Sequence, residues 1–143
     1  MLKIILIIIP LLFINKEINA QFIDLSGNNQ DIEQYVAQNP QNWDKSIMYV
    51  FYNNEYCSNC AQAMEMIYEI YEQNYSNQLS SFEINYGEDN NYNLEWPLQI
   101  VLVRIQDGMA RGYIKINNPQ FWVDDPSYFT QNITSKINNF LLL

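Results

Sequence analysis

A change of hydrophobic pattern around the only two cysteines constrains this chain most. The segment SIMYVFY, residues 46–52, is a continuous apolar run of strand length, which favours a strand buried on both faces of a sheet. From Ser58 to about Tyr75 the apolar residues recur with a helical period instead. Cys57 and Cys60 therefore lie where a buried strand leads into a helix.

The rest of the chain alternates between strand and helix patterns. Strand character is found at residues 22–25, 46–52, 81–86, 98–105 and 109–116. Helical spacing begins near Asn29–Asp31 and ends at Asn39–Pro40, and it returns at Ser58–Tyr75 and at about 126–140. The predicted order is β-α-β-α-β-(short α)-β-β-α.

The connections predict how these strands pair. A helix between the second and third strands implies a crossover and parallel pairing. Gln106-Asp107-Gly108, between the last two strands, predicts a turn and an antiparallel hairpin. We therefore predict an α/β domain with a mixed β-sheet and helices on both faces.

The first twenty residues have the pattern of a secretory signal peptide. Lys3 precedes an apolar run from Ile4 to Ile14, and a polar stretch then ends at the small residue Ala20. The run is short for a membrane span, although an uncleaved anchor is the alternative. A transit peptide would be Arg-rich, whereas the first arginine is Arg104. We expect residues 1–20 to be removed and 21–143 to form one domain, with no later membrane span.

Charge and composition exclude several functions. The net charge of the chain is −9. It becomes −10 without residues 1–20, which carry two lysines and one glutamate. Such a surface gives no electrostatic support for binding nucleic acid. The chain has no histidine, which removes Ser-His and Cys-His nucleophile pairs and the commonest metal ligand.

The cysteine pair has three interpretations. A thiolate zinc site needs four ligands, and a single pair without histidine cannot complete one. A structural disulfide remains open, but closing so short a loop would stabilise little. A redox pair explains the position best, because a helix start stabilises a thiolate at Cys57 while Cys60 lies on the apolar helix face. An exposed nucleophile beside a sheltered thiol suits disulfide exchange.

These segments together resemble the thioredoxin superfamily, most closely the redox domains of protein disulfide isomerases. The resemblance rests on YVFYNNEYCSNC, on EWPLQIVLVRIQDG and on the closing helix. It implies a thioredoxin-like three-layer fold, with Cys57 as the attacking cysteine and Cys60 as the resolving one. By the same resemblance Tyr56, Trp96 and Pro97 bind substrate, Pro97 follows a cis peptide bond, and no cofactor is required.

The chain departs from this family in several ways. The active-site loop has one residue more than usual, and Val50 stands where the family often has a buried acid. Ser58 and Asn59 separate the cysteines, without the histidine of strongly oxidising isomerase domains. Glu55 would raise the pKa of a nearby thiol. We therefore expect slow or specialised exchange, with an intermediate to reducing potential.

The expected function is thiol–disulfide exchange in the endoplasmic reticulum lumen or after secretion. Cysteine-containing client proteins or a redox partner protein are the expected partners. The sequons at Asn74 and Asn132 are compatible with this compartment. The alternatives are a non-catalytic binding module and an accessory subunit with an inert disulfide. Glu65, Glu69 and Glu72 are interpreted as a solvated helix face, and Trp43 and Trp122 as packing residues.

Overall fold

The computed structural model describes residues 22–24, 44–53, 55–85 and 97–143. The five strands are β1 (Ile23–Asp24), β2 (Ser46–Tyr52), β3 (Leu79–Asn85), β4 (Leu98–Gln106) and β5 (Met109–Asn117). The helices are α1 (Cys60–Asn74), a short 3₁₀ helix (Pro119–Trp122) and α2 (Pro126–Leu142). None of the helices in these ranges is both long and apolar enough to cross a membrane.

The strands form one mixed sheet in the order β1-β3-β2-β4-β5. Strand β3 runs parallel to both β1 and β2, with Ser46 opposite Leu79. Strand β4 runs antiparallel to β2 and to β5. This order, with a helical crossover between β2 and β3, is that of the thioredoxin-like α/β fold. The predicted fold class is therefore confirmed.

Several element boundaries differ slightly from those predicted. Helix α1 begins at Cys60 rather than Ser58, because the N–H of Cys60 first closes a turn onto the Cys57 carbonyl at 3.4 Å. Strand β3 begins at Leu79 rather than Ser81, since buried Leu79 already pairs with β2. The predicted first helix, the short helix before β4 and residues 1–20 lie outside the described residues.

Both faces of β2 are buried, as its continuous apolar run predicts. One face, with Met48 and Val50, packs in a core shared by α1 and α2. The alternate residues Ile47, Tyr49 and Phe51 form a second cluster with β3 residues. The two long helices described both lie on the first face. The helix layer predicted for the second face falls outside the described residues.

Polar contacts anchor α2 on the first face, one from the end of α1 and one from β4. The Tyr75 hydroxyl, just after α1, donates to Asn138 Oδ1 at 2.9 Å in α2, and burial raises the pKa of Tyr75. Arg104 of β4 donates to the Phe140 carbonyl at 2.6 Å, near the end of α2. Its guanidinium lies 5.3 Å from the Phe140 ring centroid. A cation placed there complements the helix dipole, so α2 is anchored at the end away from the cysteines.

The β4–β5 turn provides a test of this fold. Asp107 and Gly108 both have positive φ, 54° and 69°, as a two-residue type I′ turn requires. We predict that Gly108→Ala lowers the free energy of unfolding by about 1 kcal/mol, because a β-carbon disfavours this conformation.

Gly112→Ala is the matched control, since Gly112 lies in β5 and a β-carbon there meets nothing within 4 Å. It should leave stability unchanged or raise it by up to about 1 kcal/mol by restricting the unfolded chain. Urea unfolding followed by circular dichroism measures both variants. Equal effects of the two substitutions would contradict the turn assignment.

Candidate functional site

Three chain segments meet at one end of the sheet. The N–H of Asn53, directly after β2, donates to the Pro97 carbonyl at 2.8 Å, directly before β4. The N–H of Asn118, directly after β5, donates to the Leu98 carbonyl at 3.1 Å. These bonds extend the strand pairing past the sheet. The loop with the cysteines, the Pro97 segment and the 3₁₀ helix therefore lie together.

A disulfide between Cys57 and Cys60 occupies this end, with an S–S distance of 1.96 Å and Cα atoms 5.3 Å apart. Cys57 lies three residues before α1 begins and is half-buried. Cys60 is the first residue of α1 and is completely buried. The two sulfurs therefore differ in access, with Cys57 the one that a partner can approach. This is the asymmetry predicted for an attacking and a resolving cysteine.

Helix α1 starts in a way that suits an anionic sulfur. Asn59 is the N-cap residue, but its side chain makes no capping hydrogen bond. The first turn contains no acidic residue. Unpaired N–H groups and the positive end of the helix dipole stabilise a nearby thiolate. A helix start of this kind, three residues after Cys57, would favour a thiolate there.

The Pro97 carbonyl connects the disulfide to the sheet. It lies 3.8 Å from Cys60 Sγ while accepting the N–H of Asn53. The predicted proline therefore lies beside the disulfide. Pro97 itself is half-buried. Its role in substrate binding stays a prediction. Trp96, and with it the predicted cis bond to Pro97, lies outside the described residues.

Asn53 is a site residue that sequence reasoning missed. Only 5% of its surface is exposed, and its Oδ1 accepts the N–H of Glu55 at 2.9 Å. The N–H of Asn53 also donates to the Pro97 carbonyl. Asn53 therefore fixes the start of the loop between β2 and the cysteines by one bond to the neighbouring segment and one bond within the loop. The signal was available, because an asparagine directly after a strand often bonds the backbone two residues on.

The core below the disulfide is apolar. Val50, where the family often has an acid, is completely buried in the same cluster as Cys60 and Ala63. Within the part of the chain that the structure describes, no three Cys, Asp or Glu residues gather as metal ligands would. No carboxylate of residue 50 therefore lies beneath Cys60 in this core.

Aromatic side chains surround this end of the sheet on its outer side. Tyr56, directly before Cys57, is 63% exposed, and Phe121 in the 3₁₀ helix is 70% exposed. Half-buried Trp122 stands edge-on to Tyr128 at 5.9 Å between ring centroids, and to buried Phe129 at 6.5 Å. Trp122 thus packs as predicted, whereas Phe121 was missed because nothing in its local sequence distinguishes it from a core residue.

The acidic face of α1 is separate from the disulfide. Glu65 and Glu69 are exposed and Glu72 is half-buried, in agreement with the prediction of a solvated helix face. They border an open depression together with Phe22, Met64, Tyr68 and Glu83. The depression lies between α1 and the β1 edge of the sheet. Trp43, the other tryptophan interpreted as packing, lies outside the described residues.

Buried amides stand behind the 3₁₀ helix. Gln99 Nε2 donates to Asn117 Oδ1 across β4 and β5, and Gln120 Nε2 donates to Asn118 Oδ1 at 3.3 Å. Within the described ranges, the Oε1 atoms of both glutamines are buried without a protein hydrogen-bond partner. Buried acceptors of this kind are commonly satisfied by ordered water.

The chain is similar to known proteins in its structure. No protein-family model matches the chain, and no curated protein matches it. Among solved structures it is similar to a chloroplastic thioredoxin z, with 12% sequence identity over 76% of this chain and 94% of that one, at a TM-score of 0.49. The thioredoxin-like assignment rests on the strand order and crossover described above, and the site on the cysteine pair itself.

The unequal burial of the two sulfurs gives a direct test. In the reduced protein we predict that Cys57 is alkylated at least about ten-fold faster than Cys60, because access controls thiol reactivity. Iodoacetamide labelling of the reduced protein, quenched at intervals and read by peptide mass, measures both rates. Cys57→Ala and Cys60→Ala are the matched controls that report each thiol alone. Equal rates would contradict the assignment of an accessible and a sheltered cysteine.

Proposed function

We propose that this chain is a thiol–disulfide oxidoreductase that acts on protein disulfides, as isomerase-type thioredoxin domains do. One observation carries the proposal: the disulfide joins half-buried Cys57 to fully buried Cys60 where a helix starts at the end of the sheet. The Pro97 carbonyl lies 3.8 Å from the sheltered sulfur, where it could accept a hydrogen bond from Cys60 in the dithiol form. A purely structural bond across two residues would stabilise little, and would not need this position.

The exchange proceeds in two balanced steps. In the dithiol form, the Cys57 thiolate attacks one sulfur of a client disulfide, forms a mixed disulfide and releases the other client sulfur as a thiolate. Cys60 then loses its proton and attacks Cys57 Sγ, which frees the second client thiolate and restores the Cys57–Cys60 disulfide. Both client thiolates take up protons, so the client is reduced by two electrons. Oxidation of a client dithiol is the same sequence reversed.

The surroundings of the pair favour an intermediate to reducing potential. The helix start stabilises the Cys57 thiolate, but Ser58 and Asn59 between the cysteines add no positive charge. Val50 supplies no carboxylate beneath Cys60. A modestly stabilised thiolate gives a modestly stabilised dithiol form, so this domain should reduce or isomerise disulfides better than it introduces them.

Trapping of the covalent intermediate tests the proposal. With the dithiol protein we predict catalysed reduction of a protein disulfide such as that of insulin, measured with a thiol-regenerating reductant. Cys60→Ala should accumulate a mixed disulfide through Cys57, because its resolving thiol is gone. Cys57→Ala should form none, although it also retains a single cysteine. Redox titration in glutathione buffers gives the potential, and a disulfide that never opens there would overturn an enzymatic role.

A non-catalytic binding module is the second candidate, because exposed aromatic side chains stand around the disulfide. It predicts client binding by the oxidised protein without turnover, whereas the first proposal requires turnover. An accessory subunit with an inert disulfide predicts neither. Capture of clients by Cys60→Ala therefore separates the binding module from the accessory subunit if insulin is not reduced.

We further propose that the protein works in the secretory pathway, on the pattern of residues 1–20 and on its sequons. Asn74 is exposed at the last residue of α1, so a glycan attached there extends into solvent. Asn132 is half-buried in α2, next to completely buried Ile133.

Expression of the full chain in secretory eukaryotic cells tests this localisation. We predict removal of residues 1–20, and a glycan at Asn74 in most molecules and at Asn132 in fewer. Glycosidase digestion and N-terminal sequencing measure these outcomes. Asn74→Gln and Asn132→Gln, matched in the amide they retain, identify the site used. A retained N-terminus without any glycan would contradict the localisation.

A further inference from the structure

We propose that the surface around Cys57 selects client segments that are positively charged and carry apolar side chains. Tyr56, directly before Cys57, together with Phe121, Trp122 and Tyr128, which follow β5 at the same end of the sheet, forms what we call the disulfide-end surface. The inference rests on the proposed exchange function and specifies its substrate class. Two independent features of the described residues support it: exposed aromatic rings and an uneven distribution of charge.

Hydrogen bonds place the members of this surface at one end of the sheet. The segment with Tyr56 and Cys57 follows β2, and Asn53 at its start is bonded to Pro97. The 3₁₀ helix with Phe121 and Trp122 follows β5, and Asn118 at its start is bonded to Leu98. Since Pro97 and Leu98 are consecutive, both segments leave the same end of the sheet, one on each side of β4.

Three aromatic rings of the disulfide-end surface are largely exposed to solvent. Phe121 and Tyr56 are each more than half exposed, and Tyr128 nearly half. The ring of Trp122 packs edge-on against the ring of Tyr128. Large aromatic side chains left in solvent beside a reactive group are typical of binding surfaces. A client presenting its disulfide to Cys57 would bury these rings against its own side chains.

Acidic side chains are interleaved with the rings. Glu55 is exposed next to Tyr56, and Asp124 and Asp125 are exposed between Trp122 and Tyr128. Asp125 also accepts the N–H of Tyr128 at 3.0 Å as the cap of α2. No lysine or arginine stands in residues 46–60 or 116–130. The described segments at the sulfur end therefore carry negative charge without a compensating cation.

The positive charges lie elsewhere. Beyond residue 20 the chain has five basic residues. Four lie toward the opposite end of the sheet: Lys45 before β2, Arg104 and Arg111 in the hairpin, and Lys136 in the later part of α2. The fifth, Lys115, pairs with Val101 and lies two residues before the end of β5 that leads to the 3₁₀ helix. Asp44 and Asp107 also lie toward the far end, so the uneven feature of the described segments is that four of the five basic residues stand away from the sulfur end.

This polarity fits one kind of client. A negative surface around Cys57 attracts cationic segments, which raises their association rate by about ten-fold or more at low salt. Arginine and lysine side chains also stack on exposed aromatic rings, and apolar neighbours fill the space between those rings. An acidic client would be repelled from the same sulfur. The chemistry therefore favours disulfides flanked by arginine or lysine together with apolar residues.

Matched peptides test the inference on the full domain. Three peptides with the same cysteines and apolar residues carry Arg, Gln or Glu on both sides of a disulfide. We predict second-order reduction rates by the dithiol protein that are about ten-fold higher for the Arg peptide than for the Glu peptide at low salt. The difference should shrink strongly at about 0.5 M salt, where charges are screened within a few ångströms.

Substitutions identify the charges responsible. The triple variant Glu55→Gln, Asp124→Asn and Asp125→Asn should remove most of the preference for Arg over Glu, and asparagine retains the cap of α2. The matched control carries Glu65→Gln, Glu69→Gln and Glu72→Gln, which change the net charge equally on the separate face of α1. This control should keep the preference for the Arg peptide over the Glu peptide. Phe121→Ala should slow all three peptides while leaving a small neutral disulfide, such as hydroxyethyl disulfide, unaffected.

The outcomes separate this inference from the function on which it rests. Equal rates for the three peptides, together with normal reduction of hydroxyethyl disulfide, would overturn the client preference and leave the exchange function standing. Failure to reduce any disulfide would overturn the exchange function. Binding of serine-for-cysteine versions of the peptides, followed by fluorescence, tests the surface even then. Tighter binding of the Arg version supports the inference, and equal binding contradicts it.

Discussion

Burial of β2 on both faces is the constraint on which the rest of the structure depends. Because Met48 and Val50 face one core while Tyr49 and Phe51 face another, the strand must lie inside the sheet, with β3 and β4 as its neighbours. The chain leaves β2 at the end of the strand, where the sheet ends, and continues directly into the cysteine loop. The position of the disulfide therefore follows from the burial of the strand before it.

Much of this arrangement could be predicted from the sequence, because its main elements have strong local signals. The apolar run of β2 gave its bounds, and Gln106-Asp107-Gly108 marked the hairpin whose central residues have positive φ. The start of α1 was set two residues too early, since Ser58 and Asn59 suit a turn and a helix start equally well. The connections predicted the parallel pairing of β2 with β3 and the β4–β5 hairpin, but not the spatial order of the five strands, because a single sequence lacks pairing signals between distant strands.

The site was predictable only in part. The cysteines were identified from their position between a buried strand and a helix, and Pro97 from the resemblance; the structure places Pro97 beside Cys60. Asn53 and Phe121 were missed, because their importance comes from tertiary contacts and exposure. Asn53 matters through a carbonyl more than forty residues away in sequence, and Phe121 through the solvent it faces. Local patterns can indicate the bond from the Glu55 N–H to Asn53 Oδ1, but they carry no information about the contact with Pro97 or the exposure of Phe121.

The complete burial of Cys60 has a consequence for timing. In the proposed exchange, Cys60, which has no exposed surface, releases a client held on Cys57 only by moving toward it from within. An outside thiol would instead have to attack the mixed disulfide at Cys57, so the internal release step alone depends on motion of this domain. Small motions at the first turn of α1 would set the rate of this step. If these motions were slow, the same chemistry would retain the client for a long time instead of releasing it rapidly.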